Sequence, residues 1–388
     1  MRRGAALVAG LVLAGWVYPA AQQAPGGAAN LQAAIAQLGS FDFPVRTEAA
    51  RTVRRAPAEA AVPALASAAR IHTDEYVRYR ALTLLAGFGG ATAAEVMNEL
   101  KADRNDRIRM VAFAWFEHNP DPAALPTLVA AFGVEKSEFV RPSLTRALVA
   151  QSKDPRARAV IGPLVLRGDD YFRGAVIEAL GEYEGRFALA DIVTVAEQDG
   201  PLQDDAITAV GRLGDSSHVP LLAKLQRSAP DRLQPTIAAA LCLLGRACPE
   251  TEAYLKETLA FASKAEGYQP LLRGAVHGFG MLARRGSQAS LLSLLDAGIA
   301  AQAEPVRAPI VLGLGLVALR QPELVISSLE RVADLDRAID VFRDAFDQLA
   351  EDFEEERFYV AVRRAYWAAP EGSARRRVAE ALIEKLEF

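Results

Sequence analysis

One short pattern returns nine times along the chain at nearly constant spacing, and it restricts the fold more than any other property of the sequence. An apolar residue precedes Arg, and further apolar residues follow at helical intervals, as in DEYVRYRALTLLAG around Arg78, NDRIRMVAFAWF around Arg109 and SEFVRPSLTRAL around Arg141. DDYFRGAVIEALG around Arg173 and EPVRAPIVLGLG around Arg307 repeat it, Arg46 and Arg273 stand in looser versions, and Gln203 and Gln234 hold the slot without a charge. From Arg46 the slot recurs after 32, 31, 32, 32, 30, 31, 39 and 34 residues. A period of this length holds two helices of about 11–13 residues and two short turns. A unit that small cannot bury its own apolar face, so successive units must stack into an array.

Local signals place the helices. Val77, Ala81, Leu82 and Leu85 form one apolar stripe around Arg78, the spacing of a buried helix face. Asp74, Asn105, Ser137 and Asp169 stand four residues before their Arg, where a side-chain oxygen caps the first free N–H groups. Asp106, Glu138, Asp170 and Glu304 follow in the first turn, where the helix dipole favours negative charge. Companion helices are expected to begin near Pro63, Pro126, Pro163 and Pro220, since proline is tolerated in the first helical turn. Hydrophobic residues are 51% of the chain but aromatics only 7%. Ala and Leu therefore carry the apolar content, which again favours helix.

The V-R-x-x-A/L-x-x-x-L-G signature, with P-L-x-x-L in the companion helix, resembles HEAT repeats, and the short period is similar to the variety found in phycobilisome lyases. The resemblance spans residues 40–350 and implies an all-α, armadillo-like superhelix, an α-solenoid of about ten helix pairs. It also implies protein–protein contact, with the second, Arg-bearing helix of each pair lining the concave face. On that face Tyr76, Tyr79, Trp115, Phe139 and Tyr171 are the candidate docking residues, because aromatic anchors dominate binding hot spots. Packing between repeats is the competing role for the same side chains. Bilin-lyase activity is not carried over.

The segments outside the array read differently. Met1-Arg2-Arg3 followed by an apolar run from Gly4 to Ala21 has the form of a secretory signal peptide, so residues 1–24 are expected to be cleaved and the body exported to a periplasm or cell envelope. Membrane contact is expected only if that segment stays uncleaved. Residues 25–39 read as a flexible tether and 351–388 as a C-terminal helical cap. The acidic run Glu351–Glu356 reads as a solvated helix face, because it lacks the turn glycine and alternating ligands of a calcium loop.

Charge and motif content argue against several functions. A net charge of −4 gives no basic footprint for nucleic acid. The four histidines, His72, His118, His218 and His277, lie in different repeats, so no metal site is expected, and no phosphate loop or nucleophile motif suggests catalysis or a cofactor. The recurring arginines, Arg46, Arg78, Arg109, Arg141, Arg173, Arg273 and Arg307, are expected to pair with acids of the same or the next helix. Where Gln203 and Gln234 interrupt that column, weaker coupling or altered curvature is expected between about 200 and 270. Cys242 and Cys248 either bridge a short loop or stay as two thiols. The reading that follows is a non-catalytic scaffold binding another protein. The alternative is an enzyme accessory that handles a small ligand.

Overall fold

The computed structural model describes residues 25–349 and 352–388. Among them are twenty-two α-helices and no strand. Twenty form ten consecutive pairs. The first five are α1 (Pro25–Gln37) with α2 (Phe43–Arg55), α3 (Ala58–Ile71) with α4 (Glu75–Phe88), α5 (Gly90–Leu100) with α6 (Asp106–His118), α7 (Leu125–Val134) with α8 (Arg141–Ala150), and α9 (Pro155–Ile161) with α10 (Asp170–Glu182). The next five are α11 (Leu189–Ala196) with α12 (Gln203–Leu213), α13 (Val219–Gln226) with α14 (Gln234–Leu243), α15 (Cys248–Ala262) with α16 (Gln269–Arg284), α17 (Gln288–Ala300) with α18 (Glu304–Arg320), and α19 (Pro322–Leu329) with α20 (Leu335–Leu349). Two more helices follow, α21 (Asp352–Ala368) and α22 (Ala374–Lys385). Among the described residues no single helix is long and apolar enough to cross a membrane.

The second helices pack on one another in unbroken succession from α4 to α20, whereas the first helices meet closely only at α1–α3, α3–α5, α7–α9 and α17–α19. The second helices therefore lie on the tight inside of a curve and the first helices on its outside, which makes the chain an α-solenoid. Small residues set the curvature. Gly211 of α12 lies against Ala240 of α14 so closely that an added Cβ would stand 2.7 Å from the Ala240 Cβ. With Ala238, Ala239 and Ala240 on α14, α12 and α16 reach each other over it, and the Thr208 hydroxyl lies 2.9 Å from His277 Nε2. Between 200 and 270, where weaker coupling or altered curvature is expected, the inner helices α12, α14 and α16 stay closely packed while the first helices α11, α13 and α15 do not meet closely.

Most helix starts follow the local chemistry. Asp74, Asn105 and Asp169 accept hydrogen bonds from first-turn N–H groups, each such cap being worth about 1 kcal/mol. Ser137 does not: α8 begins only at Arg141, because Pro142 has no N–H with which to continue a helix from Glu138, and the Ser137 hydroxyl donates to Asp106 instead. Pro63 lies inside α3 rather than at its start, and Pro163 falls in a short 3-10 turn after α9.

Two sequence expectations change, and a third is untested. The stretch 25–39 is not a tether: it holds α1, whose Leu31, Ala34 and Ile35 are buried with Leu38 just beyond its end, and the glycines and proline at its start hid that apolar face. The expected signal peptide, 1–24, lies outside the described residues. The segment 351–388 does more than cap the end. α22 packs on α19, α20 and α21, while α21 reaches across to α4 in the second pair as well as to α18 and α19. The array thus bends back on itself, and α21 closes the gap between its first and last pairs.

Candidate functional site

The repeated slot is an inter-helix clasp. Arg78 Nε donates to Ala69 O at 2.9 Å, Arg173 Nε to Val165 O at 3.0 Å, and Arg307 Nη1 to Gly298 O at 2.6 Å. Arg46 and Arg109 donate to Ser40 O and Asp103 O, just past the preceding helix. Those carbonyls end a helix and lack intrahelical partners, and a cation there also meets the negative end of the dipole. Gln203 and Gln234 perform the same act with an amide, donating to Ala196 O at 3.2 Å and to Gln226 O at 2.9 Å. The slot therefore requires an N–H donor on a long stem rather than a charge, so the clasp does not lapse at the two glutamines. Acids add a second link: Arg78 to Asp103, Arg109 to Glu135 at 2.8 Å, Arg307 to Asp344 at 2.5 Å, and Arg173 to Asp170 at 3.0 Å. Arg141 instead lies over the Phe172 ring, 3.9 Å from its centroid. Arg273 is exposed and, among the described residues, has no hydrogen bond, ion pair or ring partner.

The C-terminal ends of the inner helices converge on a buried ionic hub. Glu117, at the end of α6 and 1% exposed, accepts from Arg146 Nε at 2.9 Å, from Arg320 Nη1 at 2.8 Å, and from the Tyr183 hydroxyl. Arg320 is 203 residues away along the chain, which shows how far the ring has closed. Burial opposes ionisation of Glu117, but Arg146 and Arg320 outweigh it and hold the carboxyl below its usual range. Burial and the same carboxylate push the Tyr183 phenol well up. Glu354 of α21 joins through His118 at 2.7 Å and Arg357 at 2.6 Å. Its carboxyl too is held far below the usual range, burial being overcome by His118, Arg320 and Arg357. Nearby, Glu356 accepts from Arg54 Nη2 at 2.7 Å and Arg363 at 3.3 Å and lies against Gly87, where a Cβ would stand 2.5 Å from its Oε1. A second cluster has Glu182 between Arg212 at 3.0 Å and Arg284 at 2.5 Å.

The acidic run is thus no solvated face: Glu354 and Glu356 are buried, and they fasten α21 inside the ring. Sequence reasoning missed the whole hub. Its one signal was a charged residue ending an otherwise apolar stripe, as in AFAWFEH and GLGLVALR, and pattern alone does not say which charges meet.

One histidine does converge with acids here. Ligand atoms of Glu117, His118 and Glu354 lie within 4.8 Å of one another. Both carboxylates already accept from guanidinium groups, and a divalent cation placed among them would face Arg146, Arg320 and Arg357. The donor set is that of an ionic network whose carboxylates are already taken up by guanidinium groups. The other histidines act locally or across one gap, His72 accepting from the Asp74 N–H and His277 meeting Thr208.

The candidate docking residues separate into two groups. Tyr79 and Trp115 are 6% and 7% exposed and pack between helices, so they offer no anchor; Tyr76 is half-buried beside Tyr79. Phe139 and Tyr171 are 75% and 70% exposed. They stand where first helices turn into second ones, with Ile71, Val134 and Leu166 exposed at the equivalent joints. This apolar row follows one rim of the array rather than its concave face. Cys242 and Cys248 are joined by a disulfide across the α14–α15 turn.

Residues 31–115 match the family model described as HEAT repeats, and the pairs that follow continue the same stacking. The chain is an α-solenoid whose first three helix pairs are similar to HEAT repeats. No curated protein matches it. Among solved structures, an engineered protein is 14% identical over 92% of this chain and 99% of that chain, with a TM-score of 0.33. The complex of CpcE and CpcF of phycocyanin lyase from Nostoc sp. PCC7120 is 19% identical over 67% and 96%, with a TM-score of 0.42. Importin beta is 11% identical over 93% and 64%, with a TM-score of 0.32. At these scores the fold rests on the chain's own helices and their packing, and none of the three bears on activity.

Proposed function

We propose that the chain is a non-catalytic scaffold that binds another protein along the rim formed by the joints of its second, fourth and fifth helix pairs. The observation that carries this is the row of Ile71, Val134, Phe139, Leu166 and Tyr171, all exposed at corresponding joints. Large apolar side chains repeated on one edge are unusual on a monomer and characteristic of contact surfaces. The hub supports the same reading, since it holds the curvature and therefore the spacing of the row. The charged and apolar N-terminal pattern and the Cys242–Cys248 bridge support export to an oxidising compartment such as a periplasm. Crosslinked affinity purification from the cell envelope tests the reading, comparing the native chain with a Val134→Ser/Phe139→Ser/Tyr171→Ser variant. A stoichiometric partner lost from the variant supports the rim; a partner retained undiminished, or none recovered, refutes it.

A further inference from the structure

Two neighbouring second helices enclose a groove that is apolar along its length and cationic at both ends. α16 and α18 run parallel in a fixed register: Gly313 abuts Val276, Gly280 faces Val317, and Gln321 Nε2 donates to Arg284 O at 2.9 Å. Beside them opens a cavity of about 200 Å³ whose lining comes from α12, α16 and α18 alone. Arg273 and Arg284 edge it from the same stripe of α16, three turns and about 16 Å apart at the backbone. Between them lie Val276 and Gly280, with Leu312 and Leu316 of α18, the two leucines being 39% and 46% exposed.

No carboxylate lines this groove. At one end Arg273 is exposed and, among the described residues, unpaired. Asp204 acts on His277 from α12 but does not line the cavity. At the other end Arg212 and Arg284 share one oxygen of Glu182, at 3.0 and 2.5 Å, and Arg284 Nε has no hydrogen-bond partner. Arg285 and Glu178 add one charge of each sign there, so that end also keeps one positive charge in surplus. Gly280 makes the room between the ends. Glycine inside a helix is costly, and at Gly274, Gly278 and Gly313 tight packing explains it, because an added Cβ would meet a neighbour at 2.7, 2.9 and 2.4 Å. At Gly280 the nearest neighbour would be Val317 at 3.9 Å, so this glycine keeps space open instead of letting helices touch.

We propose that the groove binds a linear aliphatic α,ω-dicarboxylate. One carboxylate lies at Arg273, the other at Arg212 and Arg284, and the methylene chain runs over Gly280, Leu312 and Leu316. A monocarboxylate would satisfy one end and leave a cation facing its methyl group. An inorganic oxyanion would leave the leucines in water, and an amine would meet three guanidinium groups. An apolar cavity of about 150 Å³ takes up benzene, so one of about 200 Å³ suits a chain of roughly eight carbons whose carboxylate oxygens extend to the arginines. The site uses none of the rim residues and does not depend on the scaffold reading.

Isothermal titration calorimetry of the full chain with suberate, the eight-carbon dicarboxylate, tests this. One-to-one binding is expected. Arg273→Gln should weaken it about tenfold or more, the loss anticipated for one charge-assisted contact, and Gly280→Leu, which fills the groove, should abolish it. Octanoate should bind the native chain at least about tenfold more weakly than suberate. Three results would overturn the proposal: no saturable heat with adipate, suberate or sebacate up to about 10 mM, suberate binding unchanged in either variant, or octanoate binding as tightly as suberate. Circular dichroism of the two variants separates a lost site from a lost fold, and the octanoate comparison needs no variant.

Discussion

Replacing Glu117 by Ala should destabilise the chain by about 3–5 kcal/mol, the cost of breaking a buried ion pair from one side. The Glu117 carboxylate has no exposed surface and serves two guanidinium groups with little exposure of their own, together with the Tyr183 hydroxyl. Its removal takes from Arg146 and Arg320 the one carboxylate to which both donate, and that under-compensated charge carries most of the cost. An exposed pair would contribute only about 0–1 kcal/mol, so the two cases are well separated. Urea unfolding at pH 7 followed by circular dichroism gives the midpoint and slope. Small-angle scattering reports whether the ring opens, which matters because a repeat array need not unfold in one step. A triple variant, Glu117→Met with Arg146→Met and Arg320→Leu, should recover much of the loss, since apolar replacement of a whole buried ionic set is often neutral or stabilising. A loss below about 1 kcal/mol for Glu117→Ala would refute the argument and mean that the hub behaves as a solvated surface pair.

Acid should open the ring. The Glu354 carboxyl is depressed in the folded chain, so its contribution is complete above the unfolded glutamate value near 4.3 and is lost as pH falls through the folded value. The native chain should lose its stability advantage over Glu354→Gln in an acid titration below about pH 4; an equal difference at all pH values would contradict this. Asp205 has the opposite sign. Burial, with Asp204 and Glu178, pushes its carboxyl up to about 7, so its effect destabilises progressively from the unfolded value near 3.9 upward through 7. Asp205→Asn should therefore raise the urea midpoint at pH 8 and leave it nearly unchanged near pH 4. Gln203→Leu should cost about 1–3 kcal/mol by stranding the buried carbonyl of Ala196, whereas Gln203→Arg should be close to neutral; the reverse order would show that charge, not a donor, is what the slot needs. Gly211→Val should cost about 1–3 kcal/mol by overpacking against Ala240, read by the same unfolding assay.

Much of the fold was legible because its determinants are local and repeated. The caps at Asp74, Asn105 and Asp169, the apolar stripe of each second helix and the spacing of the slot all act within one unit. The clasp itself was only half legible. The recurrence of Arg and Gln marks the position, but the pattern does not say whether a charge or an N–H donor is what Gln203 and Gln234 share with the arginines. The α1 helix was hidden by the glycines and proline at its start, since its apolar residues show their purpose only when packed on the following pair.

The hub was not legible, and the reason is physical. Whether Glu117 meets Arg320 depends on a small rotation between neighbouring pairs, accumulated over 203 residues and set by side-chain volumes such as those at Gly211 and Ala240. No local pattern records that sum. The sequence by itself determined the unit, its helical content and its stacking, because hydrogen bonding, capping and apolar periodicity act over a few residues. Only the tertiary structure decided that the array closes on α21 and that Glu354 and Glu356 turn inward, because those contacts exist only once the curvature of the whole ring is fixed.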